Sequence, residues 1–372
     1  GPPSRERHAM VYDTRRDRML LVGGDRHHPA FTVWAIDAAS PDHWEQIPAS
    51  GGDDQYSFSS AAVYDSLQDR VILAVRREYF QGPDQAFGLW ALDLSGPPLW
   101  HLLAPGGPPL DWTLQYGATD IRLALDPDGR RLFMSGGNRP GDLWTLDLVT
   151  SNWSPVDTVA TAQHVAIDGL GYDRARQRLL ISRGGRVWNV APGPPAIWNP
   201  ISDAGSYFWA RLIAPDFAHG RLVLCGEDLY VADMPADGGP FTDRSYPPAS
   251  RRSSFRTTAI AFDHTRGVLW GHGGYTPSTY ESHSDAFRMK AVPGSDTWAW
   301  DSILVTSGRT RLWHTLLIDD AARRAVVVGG SCRDETMPSV MFHGYDDRGV
   351  GAEIPVVTGP APPQGFGQSA VI

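Results

Sequence analysis

The chain has 372 residues, of which 42% are hydrophobic, and it carries a formal net charge of −9. The acidic balance argues against a nucleic-acid partner, because a protein that binds phosphates needs a basic surface. No apolar stretch is long enough to cross a membrane as a helix, so we expect no membrane span.

A recurring segment ends in an aspartate and then continues into a short apolar run. It appears first as HAMVYD at 8–13, followed by RMLLVGG at 18–24, and it returns as AAVYD at 61–65, followed by RVILAV at 70–75. Weaker copies end at Asp126, Asp173, Asp216, Asp263 and Asp319. These aspartates are 43 to 61 residues apart, a period typical of propeller repeats.

Two further runs complete each repeat. The first is VWAID at 33–37, LWALD at 89–93 and LWTLD at 143–147, and the second contains a tryptophan. The tryptophans of the second run are Trp44, Trp100, Trp153, Trp198, and Trp298 or Trp300. The runs are short, rich in aromatic and β-branched residues and bounded by Gly, Pro, Asp and Ser, which predicts four strands per repeat and almost no helix. We expect Trp34, Trp90 and Trp144 to be buried in the third strands.

These landmarks (HAMVYD, an apolar residue before a glycine pair, LWALD and the later tryptophan) resemble the bacterial kelch repeat of the galactose oxidase central-domain superfamily. The resemblance covers roughly residues 5–372 and implies an all-β fold, a seven-bladed kelch-type β-propeller with four antiparallel strands per blade. It implies a single domain at 5–372, with blades at about 5–52, 53–109, 110–160, 161–204, 205–250, 251–307 and 308–366. Residues 367–372 read as a ring-closing or extra inner strand.

In propellers of this kind, the loops between second and third strands and the connectors between blades share one face. Aromatic residues and arginines recur in those connectors, and they suit a planar sugar-like or carboxylate ligand, since rings stack and guanidinium groups bind oxyanions in pairs. The ligand-binding candidates are Arg211, Arg256, Trp209, Phe255, Trp313, Arg311, Phe58 and Tyr116. The alternative is that the aromatics pack between blades and the arginines bind backbone carbonyls.

Residues five positions before each aspartate should lie at the same height near the propeller axis. They are His8, Ser60, Asp168, Arg211, Thr258 and His314, whereas an insertion prevents alignment of the third repeat. His8, Asp168 and His314 are candidate catalytic residues, because such a group can provide acid–base chemistry. The alternative is that these side chains hydrogen-bond from one blade to the next.

No motif indicates a cofactor or a metal site. Galactose oxidase needs a cysteine crosslinked to tyrosine and a copper site, and neither cysteine lies in a matching motif. Plant specifier proteins, also kelch-like, hold iron with Glu-x-x-x-Asp-x-x-x-His, whereas here Glu281 and Asp285 are followed by Met289. We therefore expect no cofactor and no metal.

Two functions fit these observations. The first is a monomeric binding module whose partner is a protein, a peptide, or a glycan-like, anionic or aromatic small ligand. The second is a cofactor-free enzyme, an isomerase, mutarotase or cyclase, that uses a His/Asp/Arg pocket on the axis. The residues do not distinguish a secreted protein from a cytoplasmic one.

Overall fold

A computed structural model gives the fold of the chain. It describes residues 8–23, 31–37, 43–53, 58–76, 87–104, 119–137, 143–156, 167–174, 176–183, 186–193, 196–202, 212–216, 220–225, 229–233, 242–245, 259–263, 267–272, 275–276, 281–282, 286–291, 298–303, 315–319, 324–328, 340–344 and 353–354. These residues form strands and turns, and none of them lies in a helix, so none is part of a helix that could cross a membrane. The predicted all-β class is confirmed.

The chain divides into two compact units. The N-terminal unit consists mainly of Arg7–Ile36 and Glu45–Tyr207, and the C-terminal unit mainly of Phe208–Gln368. Within the described residues, the N-terminal unit contains four sheets and the C-terminal unit three, besides one short hairpin.

The four sheets of the N-terminal unit follow one another along the chain. The first contains β1 (His8–Asp13), β2 (Arg18–Gly23), β3 (Val33–Asp37) and β4 (Trp44–Ile47). The second contains β5 (Ser50–Gly51), β6 (Phe58–Asp65), β7 (Arg70–Arg76), β8 (Phe87–Asp93) and β9 (Leu99–Ala104). The third contains β10 (Thr119–Asp126), β11 (Arg131–Gly137), β12 (Leu143–Asp147) and β13 (Trp153–Pro155). The fourth contains β14 (Ile167–Asp173), β15 (Arg178–Arg183), β16 (Arg186–Ala191) and β17 (Ile197–Ser202).

The C-terminal unit repeats the same strand order. The fifth sheet of the chain, which is the first in this unit, contains β18 (Leu212–Asp216), β19 (Arg221–Cys225), β20 (Leu229–Asp233) and β21 (Thr242–Ser245). The sixth sheet contains β22 (Ala259–Asp263), β23 (Val268–His272), β26 (Ala286–Ala291) and β27 (Trp298–Ile303). Between β23 and β26 the chain forms the short hairpin of β24 (Tyr275–Thr276) and β25 (Glu281–Ser282). The seventh contains β28 (Thr315–Asp319), β29 (Arg324–Val328), β30 (Val340–Gly344) and β31 (Glu353–Ile354).

Four strands of each sheet form an antiparallel meander that begins with the aspartate segment, and the second sheet also contains β5. The repeated aspartate closes this strand and pairs with the first residue of the second strand, as Asp13 does with Arg18 and Asp173 with Arg178. The residue just before the second strand has a positive φ in the first six sheets: Asp17, Asp69, Arg130, Gln177, Gly220 and Gly267. One left-handed residue lets a four-residue loop reverse the chain, so the same turn recurs from sheet to sheet.

The core of the N-terminal unit lies between neighbouring sheets. One apolar cluster joins the first and second sheets, another the second and third, and a third joins the third and fourth. The first strands of consecutive sheets are in contact within each unit: β1 with β6, β6 with β10, β10 with β14, β18 with β22, and β22 with β28. Where side chains are described, both faces of the inner strands are therefore buried, which explains why their sequences are continuous apolar runs rather than alternating ones.

Two expectations need correction. Trp34, Trp90 and Trp144 do lie in third strands, but they are half-buried rather than buried. In each sheet the third strand lies farther from the first strand than the second strand does. The tryptophan ring of the third strand therefore packs against the edge of a core cluster, as the rings of Trp90 and Trp144 do.

The second correction concerns the boundary between the first two repeats. Residues 50–51 were assigned to the first repeat, yet Ser50 and Gly51 add a parallel strand to the second sheet by pairing with Leu99 and Trp100. The ring-closing role expected for 367–372 falls outside the described residues.

Candidate functional site

The end of the sheets where each first strand begins is the expected functional face. His8 is the first residue of β1, pairs with Gly23 and has only 2% of its surface exposed. Phe58 is the first residue of β6, where its backbone pairs with Arg76, and Asp168 is the second residue of β14. His8 and Asp168 thus lie five residues before the closing aspartate of their strands, whereas Phe58 lies seven residues before that of β6. The other candidates lie outside the described residues: Tyr116, Trp209, Arg211, Phe255, Arg256, Arg311, Trp313 and His314.

Three of the first strands are irregular at this same end. The register shifts between Ser59 and Ala61 in β6 and between Ile167 and Gly169 in β14, which leaves Ser60 and Asp168 as the extra residues. In β10 the shift falls between Thr119 and Arg122. Bulges of this kind bend a strand and redirect side chains, and they are frequent beside active sites. The predicted column of residues five before the aspartate therefore coincides with a bulge in the second and fourth sheets.

The register also aligns the third repeat, which the sequence left unaligned. The residue five before Asp126 is Ile121, and it lies within the shifted segment of β10. Ile121 is 1% exposed and belongs to the apolar cluster between the second and third sheets. The third sheet thus contributes a packing residue at this position.

Sequence reasoning missed several polar residues at this end, among them Arg122 in β10, Ser135 in β11 and Arg183 in β15. Ser135 is 1% exposed and Arg183 9% exposed, whereas Arg122 is half-buried. One signal for Arg183 was present in the sequence. The run ISRGG at 181–185 places an arginine and then the glycine pair where the first repeat has LVGG at 21–24.

The opposite end, where the first strand turns into the second, contains ion pairs within each of the four sheets of the N-terminal unit. The carboxylates of Asp13, Asp65, Asp126 and Asp173 each accept a hydrogen bond from the arginine that opens the second strand, with Nε–Oδ2 distances of 3.0, 3.1, 3.0 and 3.1 Å. The same aspartates accept backbone N–H groups of the turn, for example those of Arg15 and Arg16 on Asp13. The repeated aspartate is therefore a turn-stabilising residue.

Further ion pairs connect neighbouring sheets at this end. Arg16 of the first sheet donates two hydrogen bonds to Asp69 of the second, with Nη1–Oδ1 at 2.8 Å and Nη2–Oδ2 at 2.6 Å. Arg174 of the fourth sheet donates similarly to Asp128 of the third, at 2.5 and 2.7 Å. Arg130 lies 3.7 Å from Asp65, which also joins the second and third sheets.

These contacts shift the pKa values of the groups involved. The hydrogen bond from Arg16 holds the pKa of Asp69 below its ordinary value. Burial, followed by the hydrogen bond to Asp69, raises the pKa of Tyr64. Burial and then the proximity of Asp126 raise the pKa of Tyr172 to about 12. All three groups keep their usual charge at neutral pH, which is the behaviour of structural residues.

Metal-binding chemistry has no basis in the described side chains. No group of three or more His, Cys, Asp or Glu residues within that part of the chain could hold a metal ion. Glu281 lies in β25 and Met289 in β26, while Asp285 falls outside the described residues.

Comparison with known proteins gives the fold and no family. No protein-family model matches the chain, and no curated protein matches it either. Among solved structures, the GH74 enzyme of Niastella koreensis has a TM-score of 0.60 at 12% identity, over 94% of this chain and 54% of that one. A fungal alcohol oxidase of the AA5 family, in complex with copper, has a TM-score of 0.51 at 12% identity, over 97% of this chain and 68% of that one.

A third similar structure is the extracellular domain of a one-component system from B. thetaiotaomicron. Its TM-score is 0.55 at 12% identity, and the match covers 89% of this chain but only 38% of that one. The chain thus spans less than half the length of that domain. These neighbours are β-rich, propeller-like domains, and one is from the galactose oxidase family, so the chain has a propeller-like all-β fold.

Proposed function

We propose that the chain forms one seven-bladed kelch-type propeller over residues 5–372 and acts as a binding module. Its ligand would be a protein, a peptide, or a glycan-like or anionic small molecule, held at the loop face near the axis. The recurrence of the same four-strand order in seven consecutive sheets supports the blade count. The contacts between first strands of consecutive sheets within each unit support an arrangement of these strands around an axis.

The contrast between the two ends of the sheets carries the proposal. At the turn end, aspartates and arginines neutralise one another within and between sheets, as in the Arg16–Asp69 pair. At the other end, the first strands of the second, third and fourth sheets are bulged, and polar residues such as His8 and Ser135 are buried. Irregular backbone and buried polar groups are costly for stability, and they concentrate where a protein binds ligands.

The ligand contacts come from the connectors on that face. Guanidinium groups bind carboxylates or sulfates in pairs, and aromatic rings stack on sugar rings or planar groups. We assign these roles to Arg211, Arg256, Trp209, Phe255, Trp313, Arg311, Phe58 and Tyr116. Two similar structures, a GH74 enzyme and the extracellular domain of a one-component system, are consistent with a ligand-binding propeller.

The test is a glycan and peptide array probed with the parent protein and with the double variant Arg211→Ala/Arg256→Ala. The parent should bind a set of anionic probes that the double variant no longer binds, while the melting temperatures stay equal. If the arginines instead bind backbone carbonyls between blades, the double variant loses stability and retains its binding profile, because buried carbonyls are left unpaired. That result would overturn the proposed role of both arginines.

A cofactor-free enzyme is the second candidate. The observation that favours it is the burial of His8 at the start of β1, in a position equivalent to that of Asp168 in the bulge of β14. With His314, these residues would supply an acid and a base for an isomerase, mutarotase or cyclase. Turnover of a sugar or sugar-acid panel that disappears in His8→Gln and in Asp168→Asn, with the array profile unchanged, would favour the enzyme over the binding module.

A further inference from the structure

The third sheet brings two polar side chains to the same face at the strand-start end. Ser135 of β11 and Arg122 of β10 are directly paired across the ladder, so their Cβ atoms lie about 4.5–5.5 Å apart. Ser135 is also paired with Leu143 of β12, and Leu143 belongs to the apolar cluster between the third and fourth sheets. Directly opposed residues point to the same side of a sheet, so Ser135 and Arg122 both face the fourth sheet.

The fourth sheet brings an arginine to the other side of the same gap. Along β15, Leu179 and Ile181 belong to that apolar cluster, and Arg183 is the next residue in the period-2 pattern. Arg183 is also paired with Ile167, another member of the cluster. Packed sheets are about 10 Å apart, a span that an arginine side chain covers in large part. The same apolar cluster is therefore bordered at the strand-start end by Arg122 and Ser135 on one side and by Arg183 on the other.

The hydroxyl group of Ser135 is the decisive feature of this group. It is buried and has no hydrogen-bond partner among the described residues. An unpaired buried hydroxyl is costly, so a bound group that accepted a hydrogen bond from it would be stabilised there. Arg122 and Arg183 already interact with other groups. A guanidinium has five N–H donors, so an arginine can donate to more than one partner at once.

We infer that Arg122, Ser135 and Arg183 form a binding site for the carboxylate group of a small ligand. The two oxygens of a carboxylate match the planar fork of an arginine, the hydroxyl of Ser135 donates to one of them, and the partial burial strengthens each of these bonds. This inference rests on the proposed ligand-binding function, but it concerns residues of the third and fourth sheets rather than the connectors named above.

The experiment is calorimetric titration of the parent protein with glucuronate, and with glucose as the counterpart that lacks the carboxylate. The parent should bind glucuronate at least about tenfold more tightly than glucose, because a single hydrogen bond to a charged group accounts for a factor of that size. If the parent binds the two sugars equally, or binds neither, the inference is wrong.

Matched variants then locate the site. Ser135→Ala should weaken glucuronate binding about tenfold. Ser182→Ala should leave it unchanged, since Ser182 is equally buried but points to the opposite face of β15. Equal effects of the two serine substitutions would overturn the inference.

The arginine is tested in the same way. Arg183→Ala should weaken binding more than Arg174→Ala, which removes the same charge from an exposed residue at the turn end. Arg183→Lys keeps the charge and the alkyl stem, so it should fold and show an intermediate affinity, because lysine cannot form the two-pronged contact. Equal losses of glucuronate affinity in the Arg183→Ala and Arg174→Ala variants would show that only the net charge affects binding. The inference would then be wrong.

The same titration separates this inference from the proposed function. If glucuronate binding is lost in the Arg211→Ala/Arg256→Ala variant and unchanged in the Ser135 and Arg183 variants, the connector site stands and the site between the sheets is refuted. The inference requires the Ser135 and Arg183 variants to lose affinity while their melting temperatures remain within the range of the Ser182 control.

Discussion

Asp69→Asn is expected to lower the free energy of unfolding because it removes the negative charge that joins the first and second sheets. Asp69 accepts two hydrogen bonds from Arg16, at 2.8 and 2.6 Å, and a third from the hydroxyl group of Tyr64, at 2.8 Å. Asp69 also has a φ of 53°, and asparagine tolerates this left-handed backbone at least as well as aspartate. The substitution therefore tests the charge and leaves the turn intact.

The expected loss in the free energy of unfolding depends on which contacts Arg16 retains in the variant. The amide of asparagine presents a donor to one N–H of Arg16, so one charge-assisted hydrogen bond is lost and the other is weakened. Arg16 still contacts Asp13, at 3.1 Å, and the carbonyl oxygen of Leu94, at 2.7 Å. Hydrogen bonds to charged groups contribute about 1.5–3 kcal/mol, and the side chain of Arg16 is 33% exposed, which reduces this through solvent screening. We expect a loss of about 1–2 kcal/mol.

The matched control is Asp128→Asn. Asp128 receives an equally short pair of hydrogen bonds from Arg174, but the two side chains are 49% and 62% exposed. Urea unfolding, followed by tryptophan fluorescence, should show a clear loss for Asp69→Asn and almost none for Asp128→Asn. Equal losses would refute the reasoning, since contact geometry rather than burial would then determine the contribution of these pairs.

The pH dependence provides a second measurement of the same contact. The native pKa of Asp69 lies below its ordinary value of 3.8, chiefly because of the hydrogen bond from Arg16. A carboxylate with a lowered native pKa stabilises the fold fully above its unfolded-state pKa, and this stabilisation is lost as the pH falls through the native value. The difference between the parent and Asp69→Asn should therefore be constant near neutral pH and shrink below about pH 4. A difference that persists at lower pH would contradict the role of the charge.

Two further predictions concern the contacts of Trp100, in β9 of the second sheet. Gly51→Ala should lower the free energy of unfolding in urea by about 2 kcal/mol or more. Gly51 has a φ of 77°, and an added Cβ would lie 2.3 Å from the carbonyl oxygen of Trp100. The control Gly96→Ala should be nearly neutral, because no atom lies within 4 Å of the added Cβ. Trp100→Phe should lower the free energy of unfolding by about 1–3 kcal/mol. It leaves the buried carbonyl of Phe31 without the indole N–H that donates to it at 2.9 Å. An unchanged unfolding midpoint would mean that this hydrogen bond contributes nothing.

The order of the strands was readable from the sequence because it depends on local chemistry. A first strand that ends at Asp13 or Asp173 closes at that residue because the carboxylate accepts the N–H groups of the turn that follows. The run LWALD at 89–93 and the run around Trp100 both became strands, because short apolar and aromatic segments between turn residues have few other structures available. Each of these relations links residues close together in the chain.

The arrangement of polar residues at the strand-start end depends on relations between distant residues, and the sequence predicted it only in part. Counting back from the aspartates reached Asp168 but not Arg183, because the count stays on the first strand and Arg183 lies on the second, opposite Ile167. Ser135 is an unremarkable serine in the sequence. It becomes a candidate ligand contact only because the register sets it opposite Arg122 and the packing of the third sheet against the fourth directs both toward the same gap.

The sequence by itself therefore determined the all-β class, the repeat and the turn-forming aspartates, since each arises from neighbours within about ten residues. Only the tertiary structure decided which charges are neutralised between sheets and which polar groups are buried. Arg16 and Asp69 are 53 positions apart, and Arg174 and Asp128 are 46 apart. Such pairs form only when consecutive sheets pack side by side, because packing places equivalent turns of successive repeats next to each other at the same height.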